Sequence, residues 1–363
     1  IITTITQPKL ENDNIWFFSP TGTPFNPANG TNNCTFEHPC NIFDQTTING
    51  INGLAPDADL YFDTGTFNNP NVGTGFNIPF GQSLFGRTNN FKDPAPPPSL
   101  PIINDTLLLN GNNTVDNLLI NGHTETNSGT MPTLTAVEIG NTATGTINLN
   151  NDIITASNNG DPAFPTISAL HIAADTPVTV NINQSSLSAS AQNVPDDIDV
   201  IAVYNDRNGN IIISNSTITA TNLNNADSGN AFAVLNNATG TVQINHSSLE
   251  VNSNNDNLNI IIGNLGAMNI FQSNLSMTVN GSATPAFGIF NIGTINLDSV
   301  NIDATANNAI DVTGLMNLGT ATIKNTAISV TTGGIADAVN NTSILNDLGG
   351  NDCTENGVDS PCT

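Results

Sequence analysis

Basic side chains are almost missing from this chain. Five Lys and Arg stand against thirty Asp and Glu in 363 residues, a formal net charge of −25. Such a field repels nucleic acid and anionic membrane, and it disfavours polyanionic substrates unless a cation bridges them. Charge of either sign is scarce too, at 10%, yet 37% of residues are hydrophobic. That apolar content can fill a core, so the low charge does not signal disorder. No apolar run has the length that spans a bilayer as a helix. No signal peptide is visible and the chain starts at Ile, so the expectation is a processed or excised segment of a larger exported protein. Cysteine is limited to two close pairs, Cys34 with Cys40 and Cys353 with Cys362. Local pairing into two disulfide loops suits an oxidising compartment. A zinc site is the competing reading, with no Cys-x-x-Cys and only His38 nearby to support it.

What the chain does have is repetition. "GTINLNNDIITAS" from Gly145 returns as "VTVNINQSSLSAS" from Val178, "NIIISNSTITAT" from Asn210 and "GTVQINHSSLEV" from Gly240. Worn copies begin at Ala267, Gly293 and Thr320. Alignment places Ile147, Val180, Ile211, Val242, Met268, Ile295 and Ala321 in one column, 33, 31, 31, 26, 27 and 26 residues apart. Leu149, Ile182, Ile213, Ile244, Ile270, Leu297 and Ile323 form a second, and Ile154, Leu187, Ile218, Leu249, Leu275, Ile302 and Ile328 a third. Thr and Asn fill the positions between, which is period-two alternation with one face buried and one wet. A further strand precedes each copy, as in "TAVEIGN", "SALHIAAD", "IAVYND" and "AFAVLNN".

Three short strands with turns make a unit too small to bury its own apolar face, so it must stack on its neighbours. The fold class is therefore all-β: a parallel β-helix, right-handed by crossover chirality. Asn and Ser at the turns are placed to form hydrogen-bonded ladders. Outward Thr columns also occur on ice-binding β-helices, but here Asn210 and Ala267 interrupt the column and coil length varies.

The front third does not repeat. "CNIFDQTTINGINGLAPDADLYFDTGTFN" followed by "FNIPFGQSLFGR" resembles the start of the pectate-lyase-like β-helix superfamily, in which an amphipathic helix caps the bore. Ile48, Ile51 and Leu54 sit three apart, as one helical face needs. The pairing of "GQSLFGRT" with "LLLNGNNTVDNLLING" is similar to β-helical passengers that follow an intimin/invasin-like barrel in inverse autotransporters. The likeness covers roughly residues 34–340 and implies a surface-exposed passenger of a bacterial outer-membrane adhesin. It implies a linker from the barrel at 1–33, a β-helix at 34–340 (cap 34–60, irregular first coils 61–134, regular coils 135–340) and a disulfide-closed tail at 341–363. "DPAPPPSLP" at 93–101 reads as an external loop.

β-Helices of that superfamily often cleave polysaccharides. A lyase needs a strong base such as Arg or Lys, usually with calcium, yet the regular coils offer only Arg207 and Lys324, far apart. A hydrolase needs two carboxylates across a groove; the nearest arrangement is Asp196, Asp197 and Asp199 in "PDDIDV". No catalytic residue is assigned, and the chain reads as a non-enzyme. For binding, Glu138, His171 and Tyr204 should lie outward on successive rungs about 4.8 Å apart, with Asp206 and Arg207 just beyond. Loops on one edge carry Asp161, Asp196, Asp197, Asp199, Asp227 and Asp256, where recognition in solenoids normally varies. No cofactor is expected. Calcium is the one option those acidic loops leave open, though no Asp-x-Asp-x-Asp-Gly loop is present. The expected partner is a host-cell receptor or glycan, not nucleic acid, with the membrane reached only through a barrel outside this sequence. A polysaccharide-active enzyme and a rigid stalk are the alternatives.

Overall fold

The computed structural model describes residues 14–25, 34–70, 74–88, 90–122, 124–126, 133–160, 164–194, 197–224, 229–237, 239–254, 258–281, 285–308 and 310–363. Each coil contributes one strand to each of three parallel sheets. Gly145–Asn150 belongs to the first, Ile153–Asn159 to the second and Thr166–Ile172 to the third, before Val178–Asn183 returns to the first. The three apolar columns read from the repeat are continuous ladders. Ile147 pairs with Val180, Val180 with Ile211 and so on to Ala321. Ile154 to Ile328 runs in the same way. Nearly every member is fully buried in one cluster along the axis. The fold is the expected parallel β-helix.

Magnitudes explain why the coils stack. Burying an Ile or Leu contributes about 1.5–3 kcal/mol, while ordering each backbone residue costs about 1–2 kcal/mol. With every second residue turned inward, a lone coil falls short, and hydrogen bonds to both neighbouring coils supply the difference.

Two corners carry polar ladders. Between the first and second sheets, one residue per coil is left-handed, including Asn151, Gln184, Asn215 and Asn325 with φ of 49–55°, a conformation Asn tolerates better than most residues. The next residue is a buried hydroxyl in five coils, Ser185, Ser216, Ser247, Ser273 and Thr326. Ser185 Oγ accepts from Asp152 N, Ser216 Oγ from Ser185 N, Ser247 Oγ from Ser216 N and Ser273 Oγ from Ser247 N, at 3.1–3.2 Å. At the end of the third sheet, Asn205, Asn236, Asn264, Asn291 and Asn317 are fully buried. Each Nδ2 donates to the Oδ1 of the next coil at 2.8–2.9 Å, ending on Asn341. The remaining amide capacity goes to turn carbonyls such as Gly266 O and Thr294 O.

A helix, Gln45–Leu54, closes the N-terminal end. Asp44 caps it by accepting from Thr47 N at 2.7 Å. Ile48 and Ile51 enter the core, but Leu54 is 63% exposed, which corrects the three-residue face expected from sequence. At 100° per residue, each three-residue step slips 60° around the helix, and buried Ala55 takes the inward place instead. Phe18, Phe43, Phe62 and Phe76 plug the bore beneath it, with ring centroids 4.7–5.4 Å apart.

The first sheet begins earlier than the sequence suggested. Ile15–Thr23, within the stretch read as a linker, pairs in parallel with Asp59–Phe62 and buries Trp16 and Phe18. "IWFF" is apolar enough to cover that sheet edge, but it shares no pattern with the repeat. At the other end Ile344–Asp347 and Asp352–Glu355 continue the first and second sheets through the tail. Both disulfides, Cys34–Cys40 and Cys353–Cys362, are formed.

Asn264→Ala would strip partners from Asn236 and Asn291 at once. At about 1–3 kcal/mol for each buried polar group left unmet, the variant should lose at least about 2 kcal/mol, read as a lower urea midpoint.

Asp152 stands where later coils carry Ser. Its Oδ1 accepts from Leu118 N at 2.9 Å, while Oδ2 has no partner and the side chain is buried. Burial pushes its carboxyl well above the usual 3.8 despite the hydrogen bond from Leu118. A raised carboxyl pKa means stability present below 3.8 that is lost as pH rises from there through the folded-state value. Asp152→Asn keeps the bond to Leu118 and removes the charge. It should stabilise the protein at pH 7, on the order of 1–3 kcal/mol, and flatten the stability profile above pH 4; urea titrations across pH would check both.

Candidate binding face

The third sheet positions every strand-borne residue proposed for binding. Glu138 pairs with His171 and His171 with Tyr204, so the three occupy successive rungs of one outward column. The His171 and Tyr204 rings stack, 5.1 Å apart and 15° from parallel. Tyr204 Oη donates to Asp206 Oδ1 at 2.9 Å. His171 Nε2 lies 4.0 Å from Asp206 Oδ2, an ion-pair separation beyond hydrogen-bond reach. Arg207 pairs with Asp175 through a short Nη1 to Oδ1 contact, and its Nε is 4.0 Å from Asp206 Oδ2. These groups form one connected cluster.

The cluster is not the open polar face expected from sequence. Glu138 and His171 are only 5% and 7% exposed, although they belong to the outward column. Neighbouring rungs bury them: stacked side chains about 4.8 Å apart cover each other's faces. Tyr204 is half-buried and Arg207 exposed, so of the four only these last two present substantial surface. Of the acidic edge, the described residues include Asp197 and Asp199. Asp199 opens the strand Asp199–Asn205 and accepts from Asn230 N and Nδ2 at 2.9 and 2.8 Å, a bond between coils. Asp197 is exposed. Asp161, Asp196, Asp227 and Asp256 lie outside the described residues. Among the described residues no three His, Cys, Asp or Glu side chains are grouped to hold a metal ion.

Electrostatics follow the contacts. The His171 imidazole, with Tyr204 and Arg207 assisting, holds Asp206 below the usual carboxylate range against partial burial. Burial, reinforced by the Asp206 carboxylate, pushes the Tyr204 phenol up to about 12.

Sequence reasoning missed what continues this face. In the next coils the Tyr204 column becomes Leu235, Gly263, Phe290 and Met316. The column beside it reads Ile201, Phe232, Ile260 and Phe287. Ile201, Phe232 and Ile260, with Tyr204, Leu235, Phe287 and Phe290 packed against them, form a hydrophobic cluster of their own, separate from the core. A Cβ on Gly263 would lie 2.8 Å from Leu235 Cδ1, so glycine there lets Leu235 pack across the rung. Phe287 and Phe290 meet edge to face at 5.4 Å. In the bends that follow these strands, two residues beyond the Tyr204 column, Leu265, Ile292 and Leu318 recur coil by coil with 44%, 47% and 39% of their surface exposed. The signal was available: each outward position falls one residue before a ladder Asn, as in "VLNN" and "IFNIG". Finding it required knowing that the Asn points inward.

The chain matches no family model, no curated protein and no solved structure.

Removing the carboxylate in Asp206→Asn should lower the Tyr204 pKa from about 12, yet leave it above 10 because burial is the larger cause. Phenolate absorbance during alkaline titration, with Tyr204→Phe to assign the signal, measures this. Since Tyr204 is protonated at neutral pH whether folded or unfolded, the part of the stability change that comes from its ionisation belongs only above pH 10, where the folded state resists ionisation.

Proposed function

We propose that this β-helix is the extracellular passenger of a bacterial surface adhesin, anchored through an outer-membrane barrel, and that it holds a host-cell receptor protein against the outer face of its third sheet. The single observation behind this reading is the apolar stripe running from Ile201 and Tyr204 to Phe287 and Phe290, with exposed Leu265, Ile292 and Leu318 in the bends that follow its strands. It interrupts a solenoid whose other outward columns are largely Asn, Thr and Ser. Contiguous exposed apolar surface marks interaction sites, and aromatic residues supply most of the energy in such contacts. Asp199 and Asp206 lie along its border, so a receptor surface with apolar groups and basic neighbours fits best. The role is recognition with no bond-making step. Stacked coils supply the rigidity that holds the side chains in place.

The triple variant Leu265→Ser, Ile292→Ser and Leu318→Ser changes exposed positions without altering charge, so the fold should survive within about 0.5 kcal/mol per site. Binding of the labelled chain to host cells, with and without prior protease treatment of those cells, tests the reading. Wild type should bind untreated cells only, and the variant should bind at least about tenfold more weakly, the loss that 1.4 kcal/mol produces. Equal binding by the variant would sink the assignment of this face.

A further inference from the structure

A second surface lies on a different sheet and does not depend on the receptor reading. Near the N-terminal end, the outer face of the second sheet holds an open groove of about 520 Å³, lined by Asn68, Asn104, Asn121, Thr155 and Ser157 among others. Every lining group is an amide, a hydroxyl or glycine. Among the described residues the lining carries no carboxylate, in a chain with thirty acidic residues. The groove coincides with a coil that joins its second-sheet strand, Ile102–Asn104, to its third-sheet strand, Leu107–Leu109, through Asp105 and Thr106 alone. One coil earlier, residues 69–75 make the same connection. The groove is a gap in the wall beside Asn104, the last residue before the Asp105–Thr106 link.

The floor of that gap is ordered before any ligand arrives. Asn68, Asn104, Asn121 and Thr155 are register partners on four successive rungs. Asn104 Nδ2 donates to Asn68 Oδ1 at 2.7 Å, Asn121 Nδ2 to Asn104 Oδ1 at 2.9 Å, and Thr155 Oγ1 to Asn121 Oδ1 at 2.7 Å. A primary amide has two N–H donors and two acceptor lone pairs. The ladder uses one of each on Asn104 and Asn121, and its direction fixes which side of each amide is the donor. On Asn104 and Asn121 one donor and one acceptor stay available, about 4.8 Å apart, while Thr155 spends its hydroxyl hydrogen on the ladder and keeps only acceptor capacity. Adjacent sugar hydroxyls, each both donor and acceptor, match that array. Because the amides are already held, little side-chain entropy is lost on binding.

We propose that this groove binds a neutral oligosaccharide through the Asn68–Asn104–Asn121–Thr155 ladder. Among the described residues the lining offers no cation for a uronate or sialate and no carboxylate for an amino sugar. It also offers no aromatic ring, so selectivity rests on hydroxyl geometry. The groove is a recognition site and performs no chemistry.

The test is saturation-transfer NMR of the intact chain against a panel of neutral, uronate-bearing and sialylated oligosaccharides. Two variants accompany it. Asn104→Ala breaks the ladder, and Ser157→Trp fills the groove from an exposed position without touching the ladder. Thermal unfolding of each variant controls for fold. At least one neutral oligosaccharide should give saturable transfer, weakened about tenfold by Asn104→Ala, the effect of losing one ligand hydrogen bond, and abolished by Ser157→Trp. Three results overturn the proposal: no transfer to any neutral member, equal or stronger binding of acidic members, or binding that survives Ser157→Trp. Cell binding through the third sheet should be unchanged in Ser157→Trp, which separates failure here from failure of the receptor reading.

Discussion

Stacking parallel strands in register is the constraint on which the rest of this molecule depends. A rung about 4.8 Å from the next places identical positions directly over one another. Whatever one coil buries, its neighbours must also bury. Aliphatic columns satisfy that rule without further help. Polar columns satisfy it only when each member is both donor and acceptor, and Asn and Ser qualify where Asp and Lys do not. The buried Asn ladder from Asn205 to Asn341 meets the condition in full. It replaces the Ile139 and Ile172 of the first regular coils in the same column, trading apolar packing for amide bonds that also fasten the following turn.

The same rule explains what each outer face can do. Columns of outward side chains also interact along the axis, so a face takes its character from a whole column and not from one residue. The first and second sheets show amide and hydroxyl columns outward. The third shows a polar cluster at Glu138, His171, Tyr204 and Asp206 that passes into an aromatic and aliphatic stripe. Scarcity of Lys and Arg fits this design: unlike charges stacked in alternation would need two side-chain types per column, whereas neutral donors and acceptors need one. Two ion pairs of the regular coils, Arg207 with Asp175 and Lys324 with Asp298, bridge adjacent coils at exposed positions.

Fold and function separate cleanly in such an architecture. The core tolerates one pattern repeated many times, while the faces and connections vary without penalty to it. The short link at Asp105 and Thr106 and the outward Phe287 and Phe290 leave the inward ladders undisturbed. A surface that can change independently of its scaffold suits recognition.

How much of this could be read from the chain alone varies with distance along it. Inward columns, strand order within a coil and the polar corner ladders were legible, because period-two alternation and recurrence every 26–33 residues admit few other solutions. The Glu138, His171 and Tyr204 column was legible as a register, for the same reason. Their burial was not, since lateral cover comes from side chains on other rungs. Leu54 and the strand at Ile15–Thr23 escaped because neither belongs to the repeat, so only contact with the capped end decides their places. The apolar stripe and the amide groove were decided by tertiary structure alone. Each joins residues tens of positions apart, and each exists because stacking turns a weak preference within one coil into a continuous surface.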